Sequence, residues 1–225
     1  MKENREKKNL SGILPGDEAI KPVASGLIIR IIGLYQTWES RAMVNKRKYH
    51  ELIKYICARV QSGSTLSKTK LFKIMFFCDF TAYRELGASI SGDLYLRQPF
   101  GPVPTHGNKE LKAMIDADEL ALSHTLYGGN RGQKYVTTQD VDLSVFTPYE
   151  VSIIDSQLEN FKNESAGSLS DLSHTFIGWQ VIENGKNIPY GTALLQDDSG
   201  EDFEFPKEYL DDALAQADTA FARLQ

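Results

Sequence analysis

The strongest apolar pattern of the chain follows Thr65 and is typical of a buried helix. Thr65 and Ser67 are polar residues that can cap a helix, and a helical run extends from Lys68 to about Leu86. Apolar residues recur on one face with the 3.6-residue period of an α-helix, at Leu71, Ile74, Met75, Cys78 and Ala82. Aromatic residues lie beside that stripe, at Phe72, Phe76, Phe80 and Tyr83. A helix that is apolar nearly all round is expected to lie at the centre of the fold. Gly87 is placed to end this helix in a left-handed cap.

A turn and a proline-rich segment follow the predicted central helix. Ser91-Gly92-Asp93 has the composition of a turn, and the run Leu94–Arg97 alternates like a short strand. The segment closes on the sequence Phe-Gly-Pro-Val-Pro at residues 100–104. Two prolines fix φ in this segment, which predicts that it forms neither a regular helix nor a strand ladder.

Further helices are predicted on both sides of this segment. Their predicted spans are Asn45 to about Val60, Asn108 to about Ala117, Thr147 to about Lys162 with a capping box and Pro148 in the first turn, and a short helix from Ser168 or Ser170. Apolar residues recur at helical spacing in these spans, so each helix is expected to bury one face around the central helix.

Two alternating runs, Leu120–Tyr127 and Gln133–Thr138, flank a glycine-rich stretch at residues 128–132 and predict a β-hairpin. Backbone N–H groups of such a stretch can bind phosphate when a helix begins directly after the glycines. A strand-like segment follows instead, which favours the hairpin turn. The predicted fold class is α+β and predominantly α-helical, with about six or seven helices around the central one and one small antiparallel hairpin.

The two ends of the chain are expected to lie outside the main domain, which we place at residues 43–195. Within residues 1–42, which begin polar and charged, Gly26–Glu39 is either a short buried strand or a loosely amphipathic helix. Met43 stands directly before the domain, so residues 1–42 are an N-terminal extension or precede a second start. Residues 196–225 combine an acidic linker with a predicted amphipathic helix, whose apolar face consists of Leu210, Ala213, Leu214, Ala217, Phe221 and Leu224.

Charge and cysteine content narrow the class of protein. The net charge is −5, but the first seventy residues contain fourteen Lys or Arg against six acids, and residues 196–225 contain nine acids against two bases. This asymmetry is typical of partner surfaces of opposite sign, although solvated helix faces give the same pattern. The two cysteines, Cys57 and Cys78, fall at apolar helical positions and suit a reducing cytoplasm. The longest apolar run, Gly26–Tyr35, is too short for a membrane span.

The sequence predicts no catalytic, cofactor or metal site. The four histidines are scattered, no set of His, Cys and acidic residues has metal-ligand spacing, and the nucleotide-binding glycine motifs are absent. We therefore expect no enzymatic activity and no cofactor. Asp79 is unusual because it lies in the middle of the apolar helix. A structural ion pair with Lys70, Lys73 or Arg97 is expected to compensate its burial.

The segment from Lys70 to Pro104 resembles the Panacea domain, which is also called the SocA-like or phage GepA-like domain. The matching positions are Lys70, Leu71, Lys73, Phe76, Asp79, Gly87, Gly92, Asp93, Tyr95, Gly101, Pro102, Val103 and Pro104. The similarity extends over roughly residues 45–195 and includes Trp179. This resemblance implies a prokaryotic or phage antitoxin that binds and neutralises a partner toxin. Because members of the family are paired with unrelated toxins, the resemblance does not identify the toxin.

Two other functions are compatible with the same sequence. The order helix, helix, proline-rich turn, helix, hairpin also resembles a winged helix-turn-helix, with Arg131 and Lys134 on a wing that contacts a phosphate backbone. The negative net charge and the acidic helix that begins near Asn108 do not favour nucleic acid as the partner. An adaptor that delivers a bound protein to a protease is also known in the family, and that role requires only binding.

The predicted partner contacts lie in the proline-rich turn and its approach, with one tryptophan added. They are Asp93, Tyr95, Arg97, Phe100, His106 and Trp179. Trp179 is equally well explained by core packing, and the motif residues Leu71, Phe76 and Pro102 are expected to serve packing. The expected partner is a cognate toxin protein, self-association is left open, and no membrane partner is expected.

Overall fold

A computed structural model of the protein describes residues 44–60, 66–127 and 130–195. In chain order the elements are α1 (Lys46–Arg59), α2 (Lys68–Leu86), β1 (Tyr95–Leu96), β2 (Val103–Pro104), α3 (Gly107–Asp116), β3 (Leu120–Tyr127), β4 (Asn130–Thr137), a 3-10 helix (Leu143–Val145), α4 (Pro148–Phe161), α5 (Ala166–His174), α6 (Ile177–Val181), β5 (Asn187–Ile188) and a second 3-10 helix (Tyr190–Leu195). The fold is α+β and predominantly helical, as predicted. Residues 1–42 and 196–225, for which the sequence predicts an extension and a linker with a helix, lie outside the described residues.

Helix α2 forms the centre of the domain, as its sequence predicts. Ser67 caps its first turn by accepting a hydrogen bond from the N–H of Lys70, and Gly87 ends it in the left-handed region with φ of 74°. Its predicted stripe is fully buried, and the helix contacts α1, α4, α5, β2 and the second 3-10 helix. The apolar surface of α2 therefore organises the core on all sides, because few of its residues are left for solvent.

Aromatic rings of α2 link the helix to both halves of the chain. Phe76 meets Tyr95 and Phe176 edge to face, with ring centroids 5.5 Å and 5.1 Å apart. Phe80 contacts the same two rings and lies 4.7 Å from the ring of Tyr190. Each such pair adds roughly 0.5–1.5 kcal/mol beyond the area that it buries. The rings therefore join β1 and the last described segments to the central helix.

A three-stranded sheet lies beside α2, and of its strands the sequence predicted only β1, within the alternating run Leu94–Arg97. Its strand order is β2-β1-β5, with both pairs antiparallel, and Tyr95 stands opposite Pro104 on one side and Ile188 on the other. The prediction that the prolines exclude a ladder is therefore wrong for Pro104. A proline is tolerated here because β2 is an edge strand, so the missing N–H costs no inner hydrogen bond.

The predicted hairpin is confirmed, with a shorter turn. Strands β3 and β4 pair antiparallel from Leu120 opposite Thr137 to Tyr127 opposite Asn130, so only residues 128 and 129 join them. The expected five-residue turn is wrong, because the second strand begins at Asn130 instead of Gln133.

The helix caps follow the prediction in part. Asn45 caps α1, and Thr147 caps α4 in a complete capping box with Glu150. The predicted caps of α3 and α5 are wrong, because α3 begins at Gly107 before Asn108, and Ser165 caps α5. The side chain of Asn108 instead accepts a hydrogen bond from the ammonium of Lys68 at 3.0 Å.

Candidate functional site

Asp79 is a fully buried carboxylate that holds the turn following α2. Its Oδ1 accepts hydrogen bonds from the N–H groups of Ile90 and Ser91, at 2.9 Å and 2.8 Å. Its Oδ2 accepts hydrogen bonds from the hydroxyls of Ser91 and Tyr95, the latter at 2.7 Å. Burial raises the pKa of Asp79 to about 6, and these hydrogen bonds oppose the shift. The expected ion pair with a Lys or Arg is wrong, because backbone and hydroxyl donors satisfy this carboxylate.

Asp93 is a second fully buried carboxylate, on the other side of the same turn. It accepts hydrogen bonds from the hydroxyls of Tyr49 and Thr105, the former at 3.1 Å. It also accepts the N–H of Leu94 at 2.8 Å and the N–H of His106 at 3.0 Å, and its Oδ1 lies 2.7 Å from Nδ1 of His106. Asp93 thereby fixes α1, the turn and the start of α3 at one point.

Ser91 connects the two carboxylates. Its hydroxyl donates to Asp79 and accepts a hydrogen bond from the N–H of Asp93 at 3.1 Å. Burial raises the pKa values of Tyr49 and Tyr95 above the ordinary tyrosine value, and the nearby carboxylates raise them further. Both phenols therefore remain neutral donors. The arrangement is a closed hydrogen-bonded network, which rigidifies the turn and leaves neither carboxylate open to a substrate.

Two lysines of α2 hold backbone carbonyl groups instead of acids. The ammonium of Lys73 donates to the carbonyl oxygen of Pro102 at 2.8 Å, and burial lowers the pKa of Lys73 to about 8. The ammonium of Lys70 donates to the carbonyl oxygen of Lys162 at 2.7 Å, at the end of α4. A cation at a helix C-terminus is favoured by the helix dipole. The two lysines thus attach α2 to the proline-rich segment and to α4.

The residues Gln98 to Gly101 form a β-turn that projects Phe100 into solvent. The N–H of Gly101 donates to the carbonyl oxygen of Gln98 at 2.9 Å, and Pro99 occupies the position where its fixed φ suits the turn. Gly101 has φ of 90°, and a Cβ at this position would meet the Ser173 hydroxyl and, at 2.7 Å, the Lys73 ammonium. Only glycine fits there, because both the backbone angle and the close packing exclude a side chain.

Trp179 lies at the base of this turn. Its Nε1–H donates to the carbonyl oxygen of Gln98 at 2.9 Å, and its own carbonyl oxygen accepts a hydrogen bond from Nε of Arg97 at 3.1 Å. The guanidinium of Arg97 lies 4.3 Å from the indole centroid, and the ring of His174 stacks on the indole at 4.0 Å. The stacked cation and rings hold the side chain of Trp179 in one orientation.

The structure separates the predicted partner contacts into two groups. Asp93 and Tyr95 are fully buried and serve the network under the turn, so their side chains do not reach the surface. His106 is exposed but is bonded to Asp93. The remaining three, Arg97, Phe100 and Trp179, lie together around the β-turn.

Two residues that the sequence analysis missed extend this surface. His174 stacks on Trp179, and Leu172 is an exposed apolar side chain one residue before Ser173, which packs against Gly101. No local signal marks either residue, since both reach the turn only through the packing of α5 on α2. We call the set Arg97, Gln98, Phe100, Leu172, His174 and Trp179 the Phe100 surface.

The basic residues at the start of α1 are paired within the fold. Lys46 lies 3.9 Å from Glu110, and Arg47 and Lys48 form ion pairs with Asp142 and Glu150. Lys112 on α3 pairs with Asp116 at 2.6 Å. Paired cations offer little free charge to a phosphate backbone. These contacts weaken the support for nucleic acid as a partner.

These features define a class of protein: a mostly helical α+β domain that presents a rigid aromatic turn above a closed polar network. Residues 71–180 match the model of the family described as Antitoxin SocA-like, Panacea domain, and over this stretch the chain belongs to that family. No curated protein and no solved structure matches the chain significantly. Within the described residues, no helix is long and apolar enough to cross a membrane.

Proposed function

We propose that this member of an antitoxin family neutralises a cognate toxin by direct protein–protein binding through the Phe100 surface, without catalysis. The family match supports an antitoxin role in general. The binding mode rests on one observation above all, the exposure of Phe100. Its side chain is 79 % exposed although the turn that carries it is fixed.

A phenyl group that a hydrogen-bonded turn presents to water is suited to insertion into a partner pocket. Hydrogen bonds from Gly101 and Trp179 to the same carbonyl oxygen of Gln98 fix the turn before any partner arrives. Preorganisation of this kind lowers the entropic cost of binding. Large aromatic anchors surrounded by less critical contacts also carry most of the binding energy in protein interfaces. Phe100 is therefore the expected anchor.

Arg97 indicates the chemistry of the partner. Its Nε is bonded to Trp179 and its guanidinium is stacked on the indole. Among the described residues, none is bonded to its two terminal nitrogens. A planar guanidinium fixed by stacking is suited to a two-point hydrogen bond with a carboxylate. We infer a toxin surface with an apolar pocket for Phe100 and an acidic residue beside it.

The test is co-expression of this protein with the product of its adjacent gene, the candidate toxin. The variants are Phe100→Ala and, as a matched control, Tyr149→Ala, since Tyr149 is similarly exposed at 74 % but lies at the start of α4. Wild type and Tyr149→Ala should restore growth and co-purify with the toxin. Phe100→Ala should lose at least about tenfold in affinity, which corresponds to a typical hot-spot loss of over 1.4 kcal/mol.

Three outcomes count against this proposal. Equal binding by Phe100→Ala and wild type would show that the Phe100 surface is not part of the interface. If the product of the adjacent gene is harmless and does not co-purify, it is not the cognate toxin. Restored growth with disappearance of the toxin from the cell indicates delivery to a protease instead of sequestration.

A further inference from the structure

The buried stripe of α2 continues beyond the part of the fold that covers it. Met75, Cys78 and Ala82 are fully buried, and Leu86 occupies the next position of the same stripe. Leu86 is nevertheless 43 % exposed. The preceding residues of the stripe all face the core. Leu86 is therefore the first residue of the stripe that the rest of the described fold does not bury.

A second exposed leucine lies on the 3-10 helix that packs against α2. The 3-10 helix Tyr190–Leu195 packs against α2, and the rings of Tyr83 and Tyr190 stack with centroids 5.3 Å apart. Leu86 lies one turn after Tyr83 on α2, and Leu194 lies four residues after Tyr190. Leu194 is 54 % exposed, and Ala88 beside Leu86 is exposed as well. We call Leu86, Ala88 and Leu194 the C-terminal patch.

We propose that residues 206–224 of the same chain dock on the C-terminal patch as an amphipathic helix. The described part of the chain ends at Leu195, directly after a residue of the patch. Residues 196–205 can span up to about 33 Å when extended, which is more than a returning segment needs. The segment that follows has a continuous apolar face.

The sequence of this segment matches the patch in chemistry. Its apolar residues share one face at helical spacing, whereas Glu208 and Asp212 fall on the opposite face and Asp211 and Asp218 fall at the flank. A helix with this pattern buries its apolar side and keeps its acids in water. Leu86 and Leu194 supply the apolar partner, and no charged residue of the segment has to be buried.

The patch is better matched to a segment of its own chain than to a second copy. It contains two leucines and one alanine, which is much less than the surface that a stable dimer interface requires. A tethered segment needs less contact area, because a short linker keeps its effective concentration in the millimolar range. This inference does not depend on the identity of the toxin or on the Phe100 surface.

The first test replaces Leu86 by the photo-crosslinking residue benzoylphenylalanine in the full-length protein. Irradiation should give cross-links within one chain to residues 206–224, as mapped by mass spectrometry of the monomer band. Tyr149 replaced by the same group is the matched control and should give none to that segment. Cross-links between two chains, or to residues 26–39, or to no part of 206–224, overturn the proposal.

The second test disrupts the contact from both sides and follows hydrogen exchange of the full-length protein. Leu86→Lys and Phe221→Asp should each speed exchange in residues 206–224 by at least about tenfold, with α2 remaining protected. Leu143→Lys is the control, because Leu143 is an exposed leucine on the first 3-10 helix. Exchange in 206–224 that is already unprotected in the wild type, or unaffected by both variants, contradicts docking.

Discussion

The ammonium of Lys73 and the carbonyl oxygen of Pro102 form a buried hydrogen bond of 2.8 Å that joins the central helix to the proline-rich segment. Lys73 lies one turn from Lys70 on α2, and Pro102 follows directly on Gly101. Lys73 and the Gly-Pro-Val-Pro segment of the family-like sequence are thus parts of one contact. They hold the β-turn that presents Phe100, so the motif positions the surface without being exposed itself.

Replacement of Lys73 by methionine should change how stability depends on pH. Burial lowers the pKa of Lys73 from 10.5 to about 8, so between these values the unfolded chain holds a proton that the native state has released. The free energy of unfolding therefore rises with pH across this window, and this contribution of Lys73 is lost as pH falls through 8. The contribution is at most about 3 kcal/mol. Urea unfolding between pH 7.5 and 10 should show a flatter profile for Lys73→Met than for wild type.

Lys112→Met is the control for that experiment, since Lys112 is exposed and pairs only with Asp116. Its profile should run parallel to that of the wild type. Lys70, whose pKa burial also lowers, is unchanged in all three proteins and cancels in the comparison. Parallel profiles for Lys73→Met and wild type would show that Lys73 keeps an ordinary affinity for its proton.

Two glycines with the same backbone conformation should differ in their tolerance of alanine. Gly87 and Gly101 both have positive φ, of 74° and 90°, but a Cβ meets nothing within 4 Å at Gly87 and collides with Lys73 and Ser173 at Gly101. Gly87→Ala should cost about 1 kcal/mol, the ordinary penalty of the left-handed region. Gly101→Ala should cost about 2–4 kcal/mol because overpacking is added. Equal urea midpoints for the two variants would contradict the packing argument.

The elements that could be predicted from the sequence are those with local signals. The stripe and caps of α2, the capping box at Thr147 and the alternating strands of the hairpin each lie within one short window. Of the sheet β2-β1-β5, only β1 has a local signal, the alternating run Leu94–Arg97, because β2 and β5 have two residues each and are too short for any alternation to be recognised. Its pairing also joins residues far apart in sequence, such as Tyr95 and Ile188.

The candidate site likewise combines features that have a local sequence signal with features that depend on the packing of the folded chain. The exposure of Phe100 follows from a local β-turn, whereas the stacking of His174 on Trp179 depends on how α5 packs. The partners of Asp79 were assigned wrongly because a buried acid was expected to need an opposite charge. Two backbone N–H groups and two hydroxyls satisfy it instead, and the turn that supplies them takes its position only in the folded chain.

Asp79→Asn should remove a pH dependence between about pH 4 and 6. Burial raises the pKa of Asp79 from 3.8 to about 6, so in this window the native state binds a proton that the unfolded chain has lost. Its contribution to stability is therefore present at low pH and is lost as pH rises through 6, by at most about 3 kcal/mol. Urea unfolding at pH 4.5 and 7 should show wild type losing stability relative to Asp79→Asn at the higher pH.

Asp79→Ala separates the charge from the hydrogen bonds. This variant leaves the N–H groups of Ile90 and Ser91 and the hydroxyl of Tyr95 without their acceptor. It should lose about 3–5 kcal/mol at both pH values, since several buried donors become unsatisfied together. Asn offers an acceptor to the N–H groups and a donor to the hydroxyls, so it should retain most of the stability. Equal losses for Asn and Ala would refute this distinction.

His50 lies between two carboxylates. Its Nδ1 is 2.9 Å from Glu119 and its Nε2 is 2.9 Å from Glu110, which joins α1 to α3 and to the residue before β3.

Removal of the His50 ring should destabilise the fold because it leaves two carboxylates facing each other. Among the described residues, the buried Glu110 then keeps only Lys46 as a cationic partner, at 3.9 Å, while Glu119 is partly buried. His50→Leu should cost about 3 kcal/mol, because both carboxylates lose the ring nitrogen to which they are hydrogen-bonded. His124→Leu is the control, since His124 is exposed on β3 and its loss should cost less than about 0.5 kcal/mol. A cost for His50→Leu no greater than that of His124→Leu would mean that water, and not the imidazole, compensates Glu110 and Glu119.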